Sequence, residues 1–160
     1  MLSSKLMRTL TLGLALAAPA AMAGDVAAQL NCPSGTKQFG SKAEGLVCRK
    51  VSGQEGMYAA HGPYVEYHPN GHKATDGQFT DGFKSGVWTF YDESGKERGK
   101  TEFKLGTYHG QRVLYFPSGK PRVIEEYQNG RKHGLVKEMA EDGRVVSQVR
   151  YENNRAVSNQ

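Results

Sequence analysis

The sequence predicts an all-β fold: an elongated antiparallel β-meander of four tandem 24-residue hairpin repeats, with a short N-terminal cap. Three observations predict it: an excess of glycine, a fixed period in the glycine and aromatic positions, and short aromatic and β-branched stretches between them.

Glycine accounts for 20 of 160 residues against 6 prolines, where the usual glycine share is about 7%. Without the triplet period of collagen, that excess marks many tight turns rather than a fibre or a linker. The length suits one domain. A hydrophobic fraction of 38% with 23% charged residues is thin for a bulky core and speaks against a two-domain enzyme.

From residue 61 the chain aligns with itself, without a gap, in units 61–84, 85–108, 109–132 and 133–156. Position two is Gly62, Gly86, Gly110 and Gly134, and position eleven is Gly71, Gly95, Gly119 and Gly143. Position twenty-two is Gly82, Gly106, Gly130 and then Asn154, asparagine being the other residue that readily takes positive φ. Position seven carries Tyr67, Tyr91, Tyr115 and Met139, and position nineteen Phe79, Phe103, Tyr127 and Tyr151. A fixed period of this length is the signature of a repeat architecture.

Between the glycines each unit holds two stretches with the size and chemistry of strands. A helix with glycine every dozen residues would lose about 1 kcal/mol at each one. The first turn of each unit is Asn70-Gly71, Ser94-Gly95, Ser118-Gly119 or Asp142-Gly143, and the second is Asp81-Gly82, Leu105-Gly106, Asn129-Gly130 or Asn153-Asn154. Such dipeptides supply the positive φ of hairpin turns. One hairpin cannot bury its own aromatic side chains, so positions seven and nineteen are expected to stack from unit to unit, with stability nearly additive along the array.

Residues 1–23 have the three parts of a secretory signal: basic Lys5 and Arg8, an apolar run over residues 9–18, and the small-residue site Ala21-Met22-Ala23. Cleavage near Ala23 and export to the periplasm or the extracellular medium follow. The run is about half the roughly 20 apolar residues that cross a bilayer, so no transmembrane segment is expected after cleavage. Residues 24–60 lie outside the period, although residues 46–51 look like a strand. Cys32 and Cys48 are the two cysteines of the chain, and in an oxidising compartment they are expected to form a disulfide contributing about 3 kcal/mol. This segment is expected to cap the first sheet edge, and the degenerate fourth unit the other, ahead of a polar tail at 157–160.

The formal net charge of +5 is spread among charges of both signs, which does not make a nucleic-acid binder. No catalytic, cofactor or metal constellation is expected. His61, His109 and His133 share position one, where the second unit has Ser85, so repetition makes them turn residues before ligands. A metal site from His61, His68, His72 and Asp76 has no recognised spacing. The adjacent carboxylates Asp92-Glu93, Glu125-Glu126 and Glu141-Asp142 point to opposite faces of a strand and read as solvated edges. Ser52, Ser85, Ser94 and Ser118 lack a nucleophile elbow, and the Gly-rich turns lack a phosphate-loop pattern.

Aromatic residues outside the ladder positions are more telling. Tyr64, Trp88 and Phe90, with Arg112 at the unit position of Trp88, form the candidate interaction surface for a protein or for sugar rings. Trp88 either presents its ring there or packs in the core of the sheet. Lys84, Arg131, Lys132 and Arg155 stand at the second turns and are expected along one rim.

The stretches from Gly86 to Lys96 with Glu102 to Gly106, and from Gly110 to Lys120 with Glu126 to Gly130, resemble the MORN-type repeat, in its longer variant common in bacterial proteins. The resemblance covers residues 61 to 156. It implies strand pairs forming an extended sheet that serves as a protein or lipid interaction surface, and many bacterial members are known as antitoxin components of toxin–antitoxin systems. The functional expectation is an exported, non-catalytic β-repeat scaffold mediating protein–protein or cell-envelope interaction, with an unidentified protein or envelope component as partner and no cofactor. An antitoxin-like neutraliser of a partner toxin is the alternative, and a glycan- or wall-acting enzyme a third reading.

Overall fold

The computed structural model describes residues 29–51 and 58–157. The signal at 1–23, the start of the cap segment and the tail at 158–160 lie outside the described residues. All regular structure in them is β: β1 (Thr36–Ser41), β2 (Gly45–Lys50), β3 (Ala60–Tyr67), β4 (Lys73–Thr80), β5 (Phe83–Tyr91), β6 (Glu97–Lys104), β7 (Thr107–Tyr115), β8 (Pro121–Gln128), β9 (Arg131–Lys132), β10 (Gly134–Met139), β11 (Val145–Glu152) and β12 (Arg155–Val157). They form one open antiparallel meander in sequence order, in which β8 pairs with both β9 and β10. No helix among the described residues is long and apolar enough to cross a membrane.

Two kinds of turn build every repeat. At the second turn both central residues have positive φ, as at Asp81 (51°) and Gly82 (85°) or Asn153 (50°) and Asn154 (69°), which is the type I′ geometry matched to strand twist. The first turn is different from the two-residue form its dipeptides suggest. The His68 amide donates to the His72 carbonyl and the Gly71 amide to the His68 carbonyl, both at 2.8 Å, and of Asn70 and Gly71 only the glycine has positive φ. This is a type I turn closed by a glycine bulge. The same pair of bonds recurs at Asp92 and Gly95, Phe116 and Gly119, and Ala140 and Gly143. The fourth repeat therefore keeps the full turn geometry although Met139 and Asn154 depart from the sequence pattern.

The two ladder positions do not form one stack. Side chains alternate along a strand and cross-strand partners share a face. Phe79 pairs with Gly62 while Tyr67 is five residues further on from Gly62, so positions nineteen and seven project from opposite faces. On the first face the rings meet in a continuous series, Tyr64 to Phe79, Phe79 to Trp88, Trp88 to Phe103, Phe103 to Tyr108 and Tyr108 to Tyr127, with centroids 5.1 to 6.1 Å apart. Phe79, Phe103 and Tyr127 sit two strands apart, about 9.6 Å. That exceeds the 4.5–7 Å of an aromatic pair, so Trp88 and Tyr108 on the intervening strands bridge them. On the opposite face Tyr91 turns its hydroxyl to Asp76 and lies under the ammonium of Lys73.

The cap extends the sheet. β2 pairs with β3 and covers its edge, leaving β1 outermost. Cys32 and Cys48 form a disulfide with 5.5 Å between their Cα atoms. It holds Pro33 against Gly62, where any Cβ would come within 2.6 Å of the proline ring.

Candidate interaction groove

Tyr64 pairs with Gly77, Trp88 with Thr101, Thr101 with Arg112, and Arg112 with Glu125, so one face carries all the residues expected at the interaction surface. Over the first two repeats this face is hollowed into an open groove of about 540 Å³. Tyr64, Glu66, Phe79, Lys84, Trp88 and Phe90 line it.

The structure brings Tyr64 and Phe90 to this groove as half-buried walls, but Trp88 is not an exposed contact. Its side chain is 1% exposed because Gly77, on the neighbouring strand, leaves the indole room to lie where a Cβ would otherwise stand. The indole Nε1 donates to the Gln78 carbonyl at 3.1 Å. Lys84 covers the ring with its ammonium 4.1 Å from the centroid, a cation–π contact that also shields the indole from water. Trp88 is the floor of the groove and the centre of the core.

Arg112 lies outside the groove. It donates to Glu125 Oε2, Lys132 approaches Oε1 at 2.7 Å, and the Tyr127 hydroxyl donates to Oε2 at 3.2 Å. Burial alone would raise the carboxyl pKa of Glu125. The hydrogen bonds from Lys132 and Arg112 outweigh it and hold the group below its ordinary value. Glu125 is thus no solvated edge: it is 6% exposed. Its neighbour Glu126 turns to the other face and accepts the Leu135 amide at 3.0 Å, and Asp92 accepts the Ser94 hydroxyl and the Ser94 and Lys96 amides inside its own turn.

Two of the four basic residues placed at the rim, Lys84 and Lys132, fold inward onto the aromatic face. Two of the histidines tie successive first turns together. His68 Nε2 donates to the Tyr91 carbonyl at 3.1 Å and His72 Nδ1 to the Glu93 carbonyl at 2.7 Å, which stitches the first turn of one repeat to that of the next. Among the described residues no three of His, Cys, Asp and Glu are grouped as a metal site.

Glu66 is a groove residue that composition and spacing missed, and Lys84 was expected on a rim rather than in the groove. Lys84 was legible in principle, since its strand partner Phe79 is a ladder residue; Glu66 lies on the face of Tyr64, two positions on, and receives the Tyr64 hydroxyl at 3.3 Å.

The fold and this face define a tandem β-hairpin repeat protein whose units share one hydrogen-bonding pattern. Residues 60–81, 84–105 and 108–129 each match the family model of the MORN repeat variant, so this stretch of the chain consists of three tandem MORN-type repeats. No curated protein matches the sequence. Among solved structures the chain is similar to the crystal structure of accessory secretory protein 1, 2 and 3 in Streptococcus pneumoniae, at 14% identity and a TM-score of 0.41, covering 68% of this chain and 20% of that one. It is also similar to the glycosylation-associated protein (Gap123) complex from Streptococcus agalactiae, at 16% identity and a TM-score of 0.42, covering 69% of this chain and 20% of that one. The chain thus matches one fifth of the length of each of these structures.

Proposed function

We propose that this protein is an exported, non-catalytic β-repeat scaffold that holds a segment of another protein in the aromatic groove of its first two repeats. The observation that carries the proposal is the groove itself: about 540 Å³ of open space on a single-layer sheet, walled by Tyr64, Phe79 and Phe90, the aromatic chemistry that protein interfaces concentrate. Export is supported by the signal-like residues 1–23 and by the Cys32–Cys48 disulfide, which belongs to oxidising compartments.

A photo-crosslinking amino acid at Phe90, in the groove, is compared with one at Val87, which is exposed on the opposite face. The expected result is a discrete protein adduct from position 90 that is lost on Tyr64→Asp. Equal labelling from both positions, or none from position 90, overturns the proposal.

A further inference from the structure

Several charged side chains on the described sheet are paired close at hand: Glu125 with Arg112 and Lys132, Asp76 with Lys73, Asp81 with Lys50, and Lys100 with Glu97. The groove lining carries two charged residues, Lys84 and Glu66, and neither is in such a pair. Lys84 makes its contacts with the rings of Trp88 and Phe103, and no carboxylate of the described residues pairs with it. Glu66 receives only the neutral Tyr64 hydroxyl, and no cation of the described residues pairs with it. One unneutralised cation and one unneutralised anion therefore stand on the same aromatic groove.

Their separation is set by register. Glu66 pairs with Thr75 and Lys84 with Phe79. They sit on the strands either side of β4 and four residues apart along it, a diagonal of about 16 Å at about 3.3 Å per residue and 4.8 Å per strand. In an extended segment, residues i, i+2 and i+4 face one side, and i to i+4 spans about 13 Å; the side chains cover the remainder. Midway between the two charges is Gly77, which carries no side chain, beside the rings of Tyr64 and Trp88.

We infer that the groove selects an extended protein segment with an acidic and a basic side chain four residues apart and an apolar side chain between them. The acid meets Lys84, the base meets Glu66, and the apolar group rests against Tyr64, Phe79 and Phe90. This rests on the groove being the protein-binding site, and adds to it the charge order of the partner.

The test uses the purified chain and three blocked peptides, Asp-Ser-Phe-Ser-Lys, its charge-reversed form Lys-Ser-Phe-Ser-Asp, and the neutral Ser-Ser-Phe-Ser-Ser, titrated by NMR shift changes at the groove amides. One of the two charged orders is expected to bind about ten-fold more tightly than the neutral peptide, the discrimination of a charge-assisted contact. Lys84→Gln and Glu66→Gln are each expected to erase most of that advantage, and Lys84→Glu with Glu66→Lys to transfer the preference to the other order. If the Gln variants or the double exchange leave the preference unchanged, the inference is overturned. Equal binding of all three peptides at the groove also overturns it, while leaving the groove as a protein site. No shift from any peptide overturns it as well, and the position-90 crosslink then decides separately whether the groove binds protein at all.

Discussion

Arg112 and Glu125 face one another across β7 and β8 at the two positions that Trp88 and Thr101 occupy one repeat earlier. The same backbone slot thus holds an indole over a small residue in one repeat and an ion pair in the next, and Val136 against Val149 in the last. The framework fixes where side chains meet, and leaves open which chemistry they use.

The buried carboxylate gives the protein an acid limb. Folding lowers the pKa of Glu125 below the ordinary carboxylate value, so its contribution to stability is complete above that ordinary value and disappears as the pH falls through the lower folded value. Denaturant midpoints measured from about pH 6 down to about pH 3 should fall more steeply in the wild type than in Glu125→Gln, because the amide binds no proton in either state.

Gly134 and Gly86 share a repeat position but not an environment. A Cβ on Gly134 would collide with the Glu126 carboxylate, whereas at Gly86 nothing lies within 4 Å. Both have positive φ, at 112° and 64°. Gly86→Ala should cost about 1–2 kcal/mol from backbone strain alone, and Gly134→Ala distinctly more. In a Glu126→Ala background most of that excess should vanish, which a double-mutant cycle by chemical denaturation measures.

Gly77→Ala should push the indole of Trp88 off the sheet, costing about 1–3 kcal/mol, as overpacking does. Trp88 is the single tryptophan of the chain, so its fluorescence reports the change directly. A red-shifted emission is expected; an unshifted spectrum with full stability would show that the ring has room to spare.

Leu105 occupies the first position of a type I′ turn at φ 49° and is 69% exposed. The other three repeats place Asp81, Asn129 and Asn153 there. Leu105→Asn should relieve backbone strain and raise the melting temperature, with a gain of about 1 kcal/mol. No gain would mean that the leucine side chain contributes packing that its exposure conceals.

Mass spectrometry of protein recovered from outside the cytoplasm should show Gly24 as the first residue and two hydrogens missing from Cys32 and Cys48. Reduction should lower stability by about 3 kcal/mol. Retention of Met1 would contradict export.

The period made the architecture legible, because Gly62, Gly71 and Gly82 and their successors mark turns that recur whatever lies between them. The two faces were within reach of counting. Gly62 and Tyr67 are an odd number of residues apart on one strand, so their side chains diverge. Burial was harder to see. Trp88 is hidden by a glycine eleven positions back, and Glu125 by Lys132 seven positions on. Both depend on register across a second turn, and the bulges between Asp76 and Gln78 and between Thr101 and Phe103 alter that register locally. The placement of Glu66 and Lys84 on one groove is visible only once the register of β3, β4 and β5 is known.

Each repeat contributes an even number of strands to an antiparallel sheet, so the chain leaves a unit travelling in the direction in which it entered. Duplication or loss of a whole unit beyond the second repeat would shift the far edge by about 10 Å and leave every turn, the disulfide-held cap and the groove in place. Length can therefore change independently of recognition: a chain shortened after residue 132 keeps the groove, and gives up the pairing and edge cover of its last repeat.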